Sequence, residues 1–139
     1  MHILLIEPNT LLAQTYAQAF ARAGHSVALV RGAQSAIHAA DAHAPDVVVL
    51  ELQLPAHSGI EFLHEFRSYP EWNTVPVVVH TLITPPKLAT AKAALARDLG
   101  VHQLLYKPQT SLQELLHAVR QVLAESENSS ESKRESRDI

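Results

Sequence analysis

Five short apolar runs alternate along the chain with longer segments in which apolar residues recur at helical spacing. The runs are rich in Val, Ile and Leu and lack polar alternation, which is typical of strands buried on both faces of a sheet. They are Ile3–Ile6, Val27–Val30, Val47–Leu50, Val77–Val79 and Leu104–Tyr106. Because a helical segment follows each run, the pattern predicts an α/β fold of (βα)5 type, with a doubly wound parallel five-stranded sheet.

Local signals mark where the predicted helices begin and end. Capping boxes precede the third and the fifth helix, formed by Ser58 with Glu61 and by Ser111 with Glu114. The fourth helix is expected from Pro85 to Leu99, since Pro suits the first turn of a helix and Gly100 suits the cap after its end. The second helix, about 33–43, has the least regular pattern.

Composition supports one folded domain and narrows its chemistry. Residues 1–124 carry the alternating pattern, whereas residues 125–139 are Ser-rich and charged, so we expect a disordered tail or the start of a linker there. The absence of cysteine excludes disulfides, thiolate catalysis and Cys-based zinc sites. Nine histidines are scattered without a helical pair, which predicts no transition-metal site.

Charge and hydropathy give no sign of a nucleic-acid or membrane partner. The formal net charge is −3, and the apolar run at the N-terminus stops at Glu7, too early for a signal peptide. No apolar stretch approaches the length of a membrane span. We therefore expect a cytoplasmic protein.

Chemistry-bearing residues follow four of the five predicted strands. Glu7 follows the first strand, Glu51 the third, Thr81 the fourth and Lys107 the fifth. In a doubly wound sheet, ligands bind beyond the carboxyl ends of the strands, so these side chains are expected at one rim. Any one of them alone would more often cap a strand in a solvated loop, whereas the four together favour a site.

The residues around Glu51 resemble a known family. Residues 45–59 have the sequence PDVVVLELQLPAHSG, which resembles the P-D-x-x-x-x-D-x-x-x-P-x-x-x-G pattern of the receiver domain of two-component response regulators. Residues 75–81 (VPVVVHT) and 99–108 (LGVHQLLYKP) are similar to later motifs of that family. The resemblance runs from Ile3 to about Leu123 and implies a flavodoxin-like fold with strand order 2-1-3-4-5.

The resemblance also implies a set of roles. In the family, an aspartate after the third strand accepts a phosphoryl group, two acids after the first strand help to hold Mg²⁺, and a Thr or Ser and a Lys contact the phosphoryl group. Glu51 is then the phosphoacceptor-equivalent residue and Glu7 the first of the two acids. Thr81 and Lys107 are the phosphoryl-binding residues, and Thr81 is also the switch-equivalent residue.

This sequence departs from the family pattern at two positions of the pocket. Pro8 stands in place of the second acid and offers no side-chain oxygen, whereas Mg²⁺ needs near-octahedral oxygen coordination. Glu51 stands in place of the aspartate, and its extra methylene moves the carboxylate by about 1.5 Å, enough to impair an in-line transfer. We expect no cofactor, and Mg²⁺ binding by Glu7 and Glu51 that is weak or absent.

A third departure concerns the output surface. Leu104 stands at the switch-equivalent position where many receivers have an aromatic residue, while Tyr106 directly precedes Lys107. The segment between Thr81 and Lys107 is longer than in the family pattern, so the fourth helix or the loop before it is expected to be extended. The resemblance implies that a histidine kinase, an output domain or another signalling protein binds the last two helices and the fifth strand, where a homodimer could also form.

We therefore hypothesise an atypical receiver, or pseudo-receiver, that binds other proteins and is not an enzyme. In this hypothesis Glu51 partly imitates the phosphorylated state. One alternative is a receiver with slow phosphotransfer on Glu51 and Glu7 as its main metal ligand. Another alternative is a flavodoxin-like domain that binds a small cofactor, although the chain lacks a glycine-rich phosphate loop.

Overall fold

Five parallel strands form a single sheet. They are β1 (His2–Ile6), β2 (Ser26–Val30), β3 (Val47–Leu50), β4 (Val77–Thr81) and β5 (Val101–Tyr106). Their order in the sheet is β2-β1-β3-β4-β5, which confirms the predicted fold class and strand order. The computed structural model describes the backbone of residues 1–137 and the side chains of residues 1–131.

Six helices connect and flank the strands in the described part of the chain. They are α1 (Thr10–Arg22), α2 (Ala33–Ala42), α3 (Gly59–Ser68), α4 (Pro85–Leu88), α5 (Lys92–Leu99) and α6 (Leu112–Arg137). Short 3-10 turns lie at Pro70–Trp72 and Lys107–Gln109. Ser111 and Glu114 cap each other's backbone amides at the start of α6, at 3.1 and 3.3 Å, which confirms that capping box. Ser58 is the N-cap of α3 and accepts a hydrogen bond from the Glu61 amide at 3.1 Å.

The sheet separates two apolar cores, because alternate side chains of each strand point to opposite faces. One core packs Leu4, Val48 and their neighbours against α2, α3, α4 and α5. The other core packs Leu5 and Val49 against Phe20 of α1 and against α6. The strands at the centre of the sheet are therefore buried on both faces, which explains why their sequences lack polar alternation.

The fourth predicted helix is divided into two, so the prediction of a helix from Pro85 to Leu99 was wrong. A turn at residues 89–91 separates α4 from α5. In this turn the Thr90 hydroxyl donates to the Lys87 carbonyl at 3.4 Å, and the Ala91 amide bonds the Leu88 carbonyl, three residues back, at 3.0 Å. These bonds replace part of the regular helical ladder.

We predicted a disordered tail or the start of a linker after residue 124, but the described residues of this segment are helical. The start of a linker stays a prediction. α6 continues from Leu112 to Arg137, and residues 138–139 of the predicted tail lie outside the described residues. Extending an existing helix avoids the cost of nucleation, and the Glu, Lys and Arg residues of this segment are good helix formers. Few apolar residues predict low burial but not the absence of a helix. No helix in residues 1–137 combines the length and apolar character needed to cross a membrane.

Candidate functional site

The carboxyl ends of the strands bring the four polar residues to one edge of the sheet. Glu7 and Glu51 directly follow β1 and β3, Thr81 ends β4, and Lys107 directly follows β5. Their strands are parallel neighbours in the sheet, so their ends lie side by side. All four side chains are buried: the exposed fraction is 2% for Glu7 and Glu51, 0% for Thr81 and 9% for Lys107.

The Glu51 carboxylate is the centre of a hydrogen-bond network. Its Oε1 accepts from the Lys107 ammonium at 2.9 Å and from the Leu82 amide at 3.0 Å. Its Oε2 accepts from the Thr81 hydroxyl and, at 3.2 Å, from the Gln53 amide. Glu51 therefore holds the two side chains that contact a phosphoryl group in the family that the sequence resembles.

Lys107 bridges the two carboxylates of the site. Its ammonium lies 2.5 Å from Glu7 Oε1 and 2.9 Å from Glu51 Oε1. The other Glu7 oxygen accepts from the Asn9 amide at 3.1 Å. One buried ammonium thus offsets two buried carboxylates, and it links the ends of β1, β3 and β5.

Hydrogen bonds outweigh the cost of burial in this network. Burial acts to raise the pKa of Glu51, but bonds from Thr81, Lys107 and the Gln53 amide hold that pKa below the ordinary glutamate value. Burial acts to lower the pKa of Lys107, but its bonds to Glu7 and Glu51 hold that pKa above the ordinary lysine value. Both Glu51 and Lys107 are therefore charged at neutral pH.

A glycine sets the path of the loop that follows Glu51. Gly59 begins α3, and its amide donates to the Leu52 carbonyl at 2.8 Å. A Cβ atom on Gly59 would lie 2.7 Å from Leu52 Cα and 2.9 Å from the Glu51 carbonyl oxygen, and backbone atoms cannot easily give way. Only glycine permits this close approach of α3 to the end of β3. The contact fixes the backbone from which the Glu51 side chain extends.

The residues present do not fit a tightly held Mg²⁺ ion, which the family implies. All four carboxylate oxygens of Glu7 and Glu51 already accept hydrogen bonds from side chains or backbone amides. Pro8 contributes only its carbonyl, which accepts from the Arg31 guanidinium at 3.1 and 3.3 Å. An ion would have to displace Lys107 and would still lack ligands for octahedral coordination. Within residues 1–131, no cluster of three or more His, Asp or Glu side chains is arranged to hold a metal.

Leu104 lies on the α4 side of the sheet, two residues before Tyr106. It is half-buried and packs against the core that contains Leu88. Leu104 and Tyr106 line a shallow cavity with Leu88 and Lys92. In the sheet register Tyr106 pairs with Thr81. The last residue of β4 is therefore the neighbour of a residue that lines this cavity.

His80 precedes Thr81, but its side chain lies on the opposite face of the sheet, as strand alternation predicts. It is buried, and its ring contacts the Tyr16 ring edge-on with centroids 5.1 Å apart. Burial, reinforced by the Lys107 charge, lowers the pKa of His80 to about 4. His80 is therefore a neutral core residue and not a member of the site.

Three contributors to the site were missed by the sequence analysis. They are the backbone amides of Asn9, Gln53 and Leu82, which donate to the two carboxylates. A backbone amide carries no residue-type signal, and its direction depends on the conformation of the loop after each strand. The sequence contained no pattern that could have identified them.

Comparison with known proteins identifies the family. Residues 3–120 match the family model for the response regulator receiver domain. Transcriptional regulatory protein BasR of Escherichia coli strain K12 is 33% identical over 132 residues, which cover 95% of this chain and 56% of BasR. Transcriptional regulatory protein PdtaR of Mycobacterium tuberculosis is 28% identical over 118 residues, which cover 84% of this chain and 54% of PdtaR. The chain belongs to the response regulator receiver domain family, and it spans about half the length of these relatives.

Solved structures share the fold. Chemotaxis protein CheY4 of Vibrio cholerae has a TM-score of 0.77 at 21% identity, covering 87% of this chain and 97% of CheY4. A sensor protein from Polaromonas sp. JS666 has a TM-score of 0.80 at 17% identity, covering 90% of this chain and 97% of that one. At these identities the likeness concerns the fold alone.

Proposed function

We propose that this chain is an atypical receiver, a pseudo-receiver, whose output is set by the Glu51 carboxylate rather than by Mg²⁺-dependent phosphorylation of an aspartate. Receiver domains of two-component systems interact with histidine kinases and output domains, and this chain belongs to the receiver domain family. Family membership supports a protein-binding role over the alternative of a flavodoxin-like domain that binds a small cofactor. The observation that carries the proposal is the hydrogen bond from the Thr81 hydroxyl to Glu51.

Glu51 reaches into the space that a phosphoryl group on a shorter aspartate would fill. Its two oxygens engage Thr81 and Lys107, the residues that the family uses to contact the phosphoryl group. The Glu51 carboxylate therefore attracts the Thr81 hydroxyl and the Lys107 ammonium permanently, whereas a phosphoryl group would attract them only while it is attached. The imitation is partial, because an acyl phosphate carries more charge and offers three acceptor oxygens.

The same geometry argues against phosphotransfer on Glu51. The carboxylate is 2% exposed, and each of its oxygens accepts two hydrogen bonds. Neither oxygen is free to attack a phosphoryl donor, and the acids present do not fit the ion that would neutralise the donor. We therefore propose a binding protein and not an enzyme.

We infer that the partner surface comprises α4, α5, β5 and the first turns of α6. Thr81 pairs with Tyr106 in the sheet, and Tyr106 lines a shallow cavity with Leu88 and Leu104, so a displacement of Thr81 would alter this surface. A histidine kinase, an output domain or another signalling protein would bind there, and a homodimer through this surface stays a prediction. A cytoplasmic location also stays a prediction.

NMR titration with Mg²⁺ and beryllofluoride tests whether the pocket of Glu7, Glu51, Thr81 and Lys107 binds a metal ion and a phosphoryl analogue. We expect no saturable shift of the Leu82 and Lys107 amides in the wild type. The double variant Pro8→Asp/Glu51→Asp restores the acids of the family and serves as the positive control, in which these amides should shift. Saturable shifts in the wild type, or a phosphoryl adduct on Glu51 detected by intact mass after acetyl phosphate treatment, would instead support the slow-phosphotransfer alternative.

Affinity capture of partner proteins by the chain tests whether the Glu51 carboxylate imitates the phosphorylated state. Glu51→Gln keeps the size of the side chain but removes its charge, whereas Glu51→Asp keeps the charge but withdraws it from Thr81. We expect both variants to lose proteins that the wild type retains, and Glu51→Asp to lose more because its carboxylate no longer reaches the hydroxyl. Equal capture of the same proteins by all three chains would show that this carboxylate does not set the output.

A further inference from the structure

The two edges of the sheet are built differently. β5 carries polar residues, and its pairing with β4 shifts register between Val77 and Val78, an irregularity of the kind that discourages further pairing. β2 has the sequence Ser-Val-Ala-Leu-Val and pairs with β1 in a regular register. It contains no charged residue, proline or bulge. Edge strands of soluble proteins usually carry one of these features, because an open edge readily pairs with another chain.

The outer side of β2 has backbone groups that face away from the sheet. The Ser26 amide donates to the Met1 carbonyl, and the Val30 carbonyl accepts from the Glu7 amide, both at 3.0 Å, so these groups of β2 point toward β1. Because successive residues of a strand alternate in direction, the backbone groups of Val27 and Leu29 point outward. Across the described residues, no loop or turn forms a backbone hydrogen bond with Val27 or Leu29. Two amides and two carbonyls are therefore available on this edge.

The side chains of β2 are also less covered than those of the central strands. Leu29 is 39% exposed, and Val27, Ala28 and Val30 are half-buried. In β3, by contrast, every residue is buried. α1 and α2 therefore leave part of the apolar surface of β2 open at the edge.

We propose that β2 pairs antiparallel with β2 of a second copy of this chain, about a two-fold axis at Ala28. In this register Val27 of each copy lies opposite Leu29 of the other, and the outward amides and carbonyls of both copies bond each other. A two-fold interface uses the same surface twice, and a register centred on Ala28 is self-complementary. The two five-stranded sheets then form one continuous sheet.

The residues that flank β2 suit this register. Arg31 of one copy comes opposite His25 of the other, and Ser26 comes opposite Val30. Burial, reinforced by the N-terminal amine, lowers the pKa of His25, so this histidine is neutral at pH 7 and does not repel Arg31. A five-residue strand spans only about 17 Å and covers less than a standard interface. The dimer is therefore expected to be weak and to depend on concentration.

Sedimentation equilibrium of the full chain, from micromolar to millimolar concentration, tests the proposal. We expect the average mass to rise from one chain toward two. Leu29→Lys should raise the dissociation constant at least about tenfold, because each copy would bury an ammonium beside Val27 of the other. Leu11→Lys is the matched control, since Leu11 is 74% exposed on α1, and Lys92→Glu probes the surface formed by α4, α5 and β5.

Amide exchange provides an independent measurement. We expect exchange of the Val27 and Leu29 amides to slow as the wild-type concentration rises, while the Ala28 amide, which faces β1, changes little. A wild type that stays monomeric at millimolar concentration would overturn the proposal. So would a dimer that Lys92→Glu or Leu11→Lys weakens as much as Leu29→Lys does.

Discussion

Replacing Lys107 by methionine tests whether charge holds the site together. Methionine keeps most of the length of the lysine stem but lacks the ammonium that lies 2.5 Å from Glu7 and 2.9 Å from Glu51. The variant leaves two carboxylates, each 2% exposed, without a counter-charge. Removing one partner of a buried ion pair costs about 3–5 kcal/mol. We expect the free energy of unfolding to fall by that amount at neutral pH, a large part of the roughly 5–15 kcal/mol that is typical of a domain.

The pH dependence distinguishes this loss from a packing defect. In the wild type the pKa of Glu51 lies below the ordinary value of 4.5, so its stabilising contribution is complete above that pH and is lost as the pH falls through the folded-state pKa. The pKa of Lys107 lies above 10.5, so its contribution is complete below that pH and is lost as the pH rises through the folded-state pKa. Without Lys107, one carboxylate should take up a proton at a higher pH. The stability difference between wild type and variant should therefore shrink as the pH is lowered toward 4.5.

Urea denaturation at a series of pH values measures both effects. The double variant Glu51→Gln/Lys107→Met is the control, because it removes one of the two repelling carboxylates along with the ammonium. It should recover more than half of the stability lost by Lys107→Met. A loss below about 1 kcal/mol, the value of an exposed pair, or a loss that does not change with pH would refute the reasoning.

Three further changes test features around the site. Gly59→Ala brings a Cβ within 2.9 Å of two backbone atoms, so urea denaturation should show a loss of about 1–3 kcal/mol. Ala56→Gly relieves a positive φ of 67°, and thermal unfolding should show a gain of roughly 0.5–1 kcal/mol, because the left-handed penalty of alanine exceeds the entropic cost of glycine. The pKa of His80 is lowered from 6.5 to about 4, so wild-type stability should fall by up to about 3 kcal/mol as the pH drops through that range. In His80→Phe, the urea midpoint should not show the loss of stability that protonation of His80 causes in the wild type. If the variant keeps the same pH dependence, another titrating group is responsible for it.

The sheet and the meeting of the four polar residues could be predicted because both depend on patterns that are local in the sequence. A run such as Val47–Leu50 is apolar on both faces, which distinguishes it from an amphipathic helix. The residue that follows such a run must lie at the carboxyl edge of a parallel sheet. Glu7, Glu51, Thr81 and Lys107 could therefore be placed at one edge without knowledge of any contact.

The break between α4 and α5 and the length of α6 could not be predicted in the same way. Leu88 and Leu95 are both buried, and their spacing fits either one helix or two helices joined by a turn. The polar residues after 124 indicate that this segment buries little apolar surface. Low burial alone does not determine whether the backbone is helical. The bonds of the carboxylates to the Gln53 and Leu82 amides depend on loop conformation, which short-range patterns do not encode.

The attachment of the negative charge at position 51 has a consequence for the duration of the signal. An acyl phosphate hydrolyses, so an ordinary receiver returns to its resting state with a lifetime set by that bond. The Glu51 carboxylate is joined to the chain by carbon–carbon bonds, and no phosphatase can remove it. If it sets the output as proposed, the signal lasts as long as the polypeptide does, and the cell can end it only by degrading the protein, by diluting it through growth or by withdrawing the partner.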